Sequence, residues 1–307
     1  MYNVKKEYSP EQAKSFIRRC DRKFDKRLEE VAEGILAKRD ASGKSVRIVA
    51  LAGPSCSGKT TAAKKLSSVF NAAGKNAITV SIDDFYFNRQ TLLSRSKDGT
   101  IDFDSPDTID FEELRKCVEA IFSDVPRAVE IPVYDFVSGT RSGVNVIPED
   151  PERDDIYIFE GIQAFYPNVQ SLFEGHCTSS VFISAESPLR VGGTVVDGNQ
   201  IRFLRRLVRD YAKRDATAQY TFNLWNSVRD NEEKNIYPNV GIADFRIDST
   251  MNYDISMLRP FAESILAGVP SDDPFRPVSE RILGFLGNAG TVSPEYLAND
   301  SLYHEFV

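Results

Sequence analysis

A lysine and a threonine behind a glycine-bearing turn can hold phosphate, and Gly53-Pro-Ser-Cys-Ser-Gly-Lys-Thr60 has that spacing. Glycines let the backbone come close, and amide hydrogens at a helix start favour negative charge. The pattern wraps Gly53, Ser55, Cys56, Ser57, Gly58, Lys59, Thr60 and Thr61 around the phosphates of a nucleotide. Lys59 is expected to reach the β- and γ-phosphates, and the Thr60 hydroxyl to ligate Mg2+. A glycine-rich turn with no ligand is the plain alternative.

Transfer of a phosphoryl group to a hydroxyl needs alignment, charge neutralisation and a proton acceptor. Asp83 ends a predicted strand and is the candidate base. Asp84 points elsewhere if the backbone stays extended there. Glu160 ends another predicted strand and is a candidate Mg2+ ligand, directly or through water. Arg205, Arg206, Arg209 and Arg214 share a predicted helix at spacings that cannot all face one way. Some are expected to face the phosphates, where planar guanidinium groups stabilise a transition state, and the rest to be solvent-facing or structural.

The elements that must place these groups alternate. Val46 to Ala52 reads as a buried strand, with the phosphate turn and a helix from Lys59 to Asn71 behind it. Further strands are expected at Ala77–Ile82, Asp155–Phe159, Ser180–Ser184 and around Ala243–Ile247. Helices are expected over 9–39, opened by Ser9-Pro10-Glu11, over Phe111–Phe122, and over Ile201–Lys213. Residues 95–109 read as a loop. Such alternation predicts an α/β fold, a doubly wound parallel sheet that binds ligands at the carboxyl ends of its strands. The expected division is an N-terminal helical segment (1–44), a P-loop domain (45–270) with an arginine-bearing segment near 201–216, and a C-terminal extension (271–307) packed on that domain.

Composition narrows the classes. With 307 residues and 41% hydrophobic content, the chain can bury a sizeable core. A net charge of -7 argues against general nucleic-acid binding. Cys20, Cys56, Cys117 and Cys177 are widely spaced, which suggests reduced thiols in a cytoplasmic protein rather than a zinc or disulfide framework. No run of 18 apolar residues predicts a membrane span. His176 and His304 are expected at the surface.

Several segments resemble the uridine kinase and phosphoribulokinase family, in family order. Ser81-Ile-Asp-Asp-Phe-Tyr86 resembles SxDxFY; Phe103-Asp-Ser-Pro-Asp107 resembles FDHPD; Ile131-Pro-Val-Tyr-Asp-Phe-Val-Ser138 resembles PVYDF. Phe159-Glu-Gly-Ile162 resembles the EGI strand end, and Arg205 to Asp210 with Arg214 the arginine lid. Trp225–Arg229, Glu232–Pro238, Leu258–Glu263 and Ser301–Phe306 resemble a bacterial branch of uridine-kinase-like nucleoside kinases. Kinases of that branch often follow a threonyl-tRNA-synthetase-like region, for which this chain is too short.

The resemblance implies an ATP- and Mg2+-dependent kinase acting on a small-molecule hydroxyl, with a homo-oligomer possible. It favours Arg206 and Arg209 as catalytic and Arg214 on the nucleotide. It implies acceptor contacts from Asp83, Tyr86, Asp104, Arg206 and Arg229. Asp104 is alternatively a loop cap; Tyr134 and Phe136 can stack on an acceptor ring or fill the core. Trp225 reads as core, with a place in the acceptor-pocket lining as the alternative, and Arg229 and Lys234 carry the same two readings. The family's pyrimidine-reading histidine falls at Gly139, a base-contacting arginine at Ala216, and a glutamine near Leu224 or Trp225. The acceptor expectation is therefore a nucleoside or nucleoside-like molecule, with a sugar, sugar phosphate or other small alcohol as the rival. A nucleotide-binding regulatory module with little turnover is the rival of another class.

Overall fold

The computed structural model describes residues 1–96, 101, 105–123, 128–148 and 155–307. Its strands are β1 (Tyr2–Val4), β2 (Ile48–Ala52), β3 (Asn76–Ser81), β4 (Val129–Asp135), β5 (Thr140–Ile147), β6 (Asp155–Glu160), β7 (Thr178–Ser184), β8 (Leu189–Val191), β9 (Thr194–Val196) and β10 (Phe245–Asp248). Its α-helices are α1 (Pro10–Ala37), α2 (Lys59–Ala72), α3 (Arg89–Arg95), α4 (Phe111–Ile121), α5 (Pro167–Gln170), α6 (Gly198–Arg214), α7 (Ala218–Asn231), α8 (Asp254–Ala267) and α9 (Arg276–Leu286).

Five strands form one parallel sheet in the order β10-β7-β2-β6-β3. Every residue of β2 and of β6 is buried, as suits strands covered on both faces. Alternate side chains of β2 divide between two hydrophobic clusters: Val49 and Leu51 enter one, Ile48, Ala50 and Ala52 the other. The first cluster also takes the apolar stripe of α1 (Phe16, Ile17, Phe24, Leu28, Val31, Ile35) and the C-terminal residues Leu302, Tyr303 and Phe306. Each such side chain, fully buried, contributes roughly 1.5–3 kcal/mol.

Helix α1 starts as its sequence requires. Ser9 caps it, Pro10 occupies the first turn, and Ser9 and Gln12 form a reciprocal capping box. Helix α6 opens on a second such box, Asp197 with Gln200. Its last residue precedes Asp215, which is left-handed at φ 52° and turns the chain into α7.

The antiparallel β4–β5 pair and the small β1-β8-β9 sheet were not expected from sequence. The stretch 95–109, expected as loop, contains a 3-10 turn at Pro106–Thr108 where it is described. A second difference matters more. Beyond Ser81 the backbone does not stay extended; Ile82–Phe85 winds into a 3-10 turn. Asp83 and Asp84 both line the cavity described below.

Candidate active site

Parallel pairing aligns the strand ends that carry the polar groups. Glu160, the last residue of β6, stands opposite Leu51 of β2 on one side and Ser81 of β3 on the other. The phosphate turn begins just beyond β2, and Asp83 just beyond β3. All therefore meet at one edge of the sheet, around a cavity of about 660 Å³. Its polar lining includes Ser55, Lys59, Thr60, Ser81, Asp83, Asp84, Glu160, Arg206, Arg209, Arg214 and Glu305.

The turn has the backbone that a phosphate cradle needs. A Cβ on Gly53 would lie 2.1 Å from the Ile183 carbonyl oxygen, so only glycine fits there. Cys56 and Gly58 are left-handed, at φ 58° and 89°. Ala62 is the first amide of α2 to return to the turn, donating to the Gly58 carbonyl at 3.0 Å. The amides of Lys59, Thr60 and Thr61 precede it and have no acceptor within the helix. Lys59 is nearly buried, and its ammonium donates to the Pro54 carbonyl at 3.1 Å. Among the described residues no carboxylate forms an ion pair with it. A buried cation without a counter-ion, beside free amides, suits an anion.

The acidic groups face this cation. Asp83 Oδ1 is buried with no hydrogen-bond partner. Burial pushes the Asp83 carboxyl above its ordinary range, against the opposing pull of Lys59 and Arg214. Glu160 is pushed up to about 7, first by burial and then by the neighbouring Asp83 charge. It accepts from Thr60 Oγ1 at 3.3 Å and Ser81 Oγ at 3.0 Å. Thr60 and Glu160 are hard oxygen donors, and no cluster of three His, Cys, Asp or Glu among the described residues could hold a metal alone. This donor set fits Mg2+ bound by one or two protein oxygens with substrate phosphates, not an all-protein cage.

Helix α6 sorts its arginines by face. Arg202 and Arg205 are fully buried and tie down the turn, donating to the Ser55 and Cys56 carbonyls at 3.1 and 3.3 Å. Their counter-ions are Glu232 at 2.6 Å and Asp254 at 2.8 Å. Arg206, Arg209 and Arg214 line the cavity instead. Asp210 holds this trio, pairing with Arg209 at 2.6 Å and with Arg206 at 3.2 Å. Arg206 also donates to Ser55 Oγ at 3.0 Å, and Arg214 lies 4.7 Å over the Phe136 ring.

At the far end the lining turns apolar: Tyr86, Phe136, Ile162, Ala216, Tyr220, Leu224 and Val228. Tyr134, expected as an acceptor contact, is buried behind this wall against Tyr86 and Phe136, with ring centroids 5.4 and 5.2 Å away. Arg229, expected there too, is outside the cavity lining and pairs with Glu232, Glu233 and the Tyr237 hydroxyl. Asp104 lies outside the described residues. Asp84 was expected to point away; it lines the cavity, and its carboxylate accepts from the Tyr134 amide at 2.9 Å. Gly139, where the family's histidine falls, is left-handed at φ 71° with the Arg89 side chain against it. Trp225 packs edge-on against Phe203 at 5.4 Å. His304 is exposed as expected, whereas His176 is half-buried against Phe122. Glu305 was missed; nothing local in the sequence points to it.

A phosphate cradle at the edge of a parallel sheet, with cavity-facing acids and arginines, defines a P-loop phosphotransferase. The model of the Phosphoribulokinase / Uridine kinase family matches residues 48–256, and the chain belongs to that family. A uridine kinase of Lactobacillus helveticus is 27% identical over 71% of this chain and 95% of its own length. A uridine kinase of Lactobacillus johnsonii is 29% identical over 72% and 96%. A solved structure described as a possible uridine kinase from Bacillus stearothermophilus is 20% identical, covers 74% of this chain and all of its own, and has a TM-score of 0.48. Membership supports a small-molecule kinase for a nucleoside or a sugar, in a family that uses ATP, generally with Mg2+. No described helix is long and apolar enough to cross a membrane.

Proposed function

We propose that the protein transfers the γ-phosphate of ATP to a hydroxyl of a nucleoside or nucleoside-like small molecule. The observation that carries this reading is Asp83, whose buried, unpartnered carboxylate oxygen shares one cavity with Lys59 and the arginines of α6. A module that only bound nucleotide would have no use for a carboxylate so placed, because burying it is unfavourable.

The roles follow from position. The amides of the turn and Lys59 hold the β- and γ-phosphates. Thr60 and Glu160 hold Mg2+, which when bound neutralises charge on the phosphate oxygens. Asp83 accepts the proton of the acceptor hydroxyl, its raised affinity for protons bringing it nearer to that task. Arg206, Arg209 and Arg214 stabilise the charge that develops as the phosphoryl group moves. The aromatic and aliphatic end takes the acceptor, with Phe136 and Tyr86 offering ring faces to a flat base.

Glycine at 139 and alanine at 216 favour a second acceptor class, a sugar or other small alcohol, because a site lacking those donors reads a pyrimidine less sharply. ADP release with Mg-ATP against nucleosides, sugars and sugar phosphates decides between them. Stimulation by one acceptor, lost in Asp83→Asn, establishes the kinase and its substrate. Tight ATP binding with no stimulated turnover across the panel sinks the reading.

A further inference from the structure

Glu305 is a charge in the cavity that the transfer reaction does not explain. Glu305 lines it together with Lys59 and Thr60, and its Oε2 accepts from Thr61 Oγ1 at 3.2 Å. Thr61 belongs to the first turn of α2, the turn that offers free amides to phosphate. An acid is thus fixed where the site is otherwise built for polyanions.

Its position is not a stray of a loose segment. Leu302, Tyr303 and Phe306 are all but fully buried. Leu302 lies so close over Gly58 that a Cβ there would sit 2.2 Å from its Cδ1. The Tyr303 hydroxyl donates to Asp254, and Arg205 lies 4.9 Å over the Phe306 ring. The Lys213 ammonium donates to the His304 carbonyl at 2.5 Å, and Lys65 pairs with Asp300 at 2.6 Å. Residues 300–306 therefore bridge α2 and α6, and Glu305 is held in register with both. Two charged groups of the cavity, Glu160 and Arg209, and Lys213 outside it feel its field.

We propose that Glu305 sets nucleotide affinity: its fixed carboxylate opposes polyphosphate at the start of α2 and so speeds release of the nucleotide product. The proposal rests on the nucleotide reading above. Lys59, Arg206, Arg209 and Arg214 together would hold a diphosphate product tightly, and a like charge beside Thr61 offsets part of that attraction. The effect scales with phosphate charge, which separates it from a mere packing role.

The test is calorimetric titration of wild-type and Glu305→Gln protein with AMP, ADP and ATP at low and high salt, without acceptor. Glutamine keeps the shape and the reach to Thr61, and matched thermal melts confirm folding. Glu305→Gln is expected to bind ADP and ATP about fivefold more tightly and AMP less so, with the gain shrinking in high salt. Glu305→Ala is expected to show the same order. Equal affinities overturn the proposal while leaving the kinase reading intact. Weaker binding of all three nucleotides overturns it as well, and assigns Glu305 to a nucleotide hydroxyl. Failure of the wild-type protein to bind any nucleotide overturns both.

Discussion

The Thr60 hydroxyl donates to the Glu160 carboxylate across 3.3 Å, joining residues 100 positions apart in the chain. The link depends on register: Glu160 stands opposite Leu51 in the sheet, and the cradle follows that strand. Removing the Glu160 charge leaves the hydrogen-bonding shape but takes a hard anionic ligand from the metal. Glu160→Gln is expected to raise the Mg2+ concentration for half-maximal activity about tenfold. A Mg2+ titration of turnover checks it.

Acidity gives a second expectation. Glu160 titrates at about 7 in the folded protein, above its ordinary 4.5, because burial and Asp83 disfavour its charge. Activity needs the ionised form, so kcat/KM is expected to rise with pH through about 7. The folded state binds the extra proton, so stability runs the other way: without ligands, Tm is expected to fall as pH rises from about 4.5 to 7. A Tm that climbs across that window contradicts this account.

Asp83→Asn is expected to lower kcat by about 10²–10⁴-fold, the usual worth of a positioned proton acceptor. ATP affinity should stay within a few-fold, since Asp83 sits beside the cradle rather than in it. Single-turnover kinetics and calorimetry separate the two quantities.

Neighbours on α6 should fail differently. Arg205→Met strands Asp254 and the Tyr303 hydroxyl without their cation, and is expected to cost about 3–5 kcal/mol of stability. Arg206→Met leaves Asp210 its Arg209 partner, so it should cost less stability than Arg205→Met while reducing kcat by about 10²-fold or more, the scale of a lost transition-state donor. Denaturant unfolding alongside turnover distinguishes these outcomes.

The buried thiols give a simpler check. Cys117 is pushed up to about 12 and Cys20 to about 11, chiefly by burial, so both remain thiols at pH 8. Neither is expected to react with an alkylating reagent in minutes under native conditions, and both should react once unfolded. Peptide mapping by mass spectrometry reads the result.

The parts that sequence made legible are those governed by local signals. Apolar runs ending in an acid marked β3 and β6, and the spacing of the cradle marked the start of α2. Arg206, Arg209 and Arg214 were separable from Arg205 by the resemblance, and the helix geometry gives the reason. The place of Arg205 was not legible, because its partner Asp254 lies 49 residues away. Arg229 misled because its partners, Glu232 and Glu233, are one helical turn away and look equally free on paper. The 3-10 turn at Ile82–Phe85 broke the alternation that was expected to turn Asp84 aside. Glu305 reaches Thr61 across 244 residues, a distance over which no periodicity speaks.

Helix α6 is anchored unevenly, and that limits how it can move. Its Arg202 and Arg205 are locked into the core by Glu232 and Asp254, while Arg214 is about one-third exposed beside the left-handed Asp215. The last turn is held more lightly, by the exposed Lys213 on the His304 carbonyl and by Arg214 at 3.8 Å from Asp210. Motion over a bound nucleotide should therefore be a swing of the last turn about the α6–α7 junction, with the first three turns as still as the sheet. Arg214, in that lightly held turn, would then travel farthest, so entry and exit of ligands would be gated from its side.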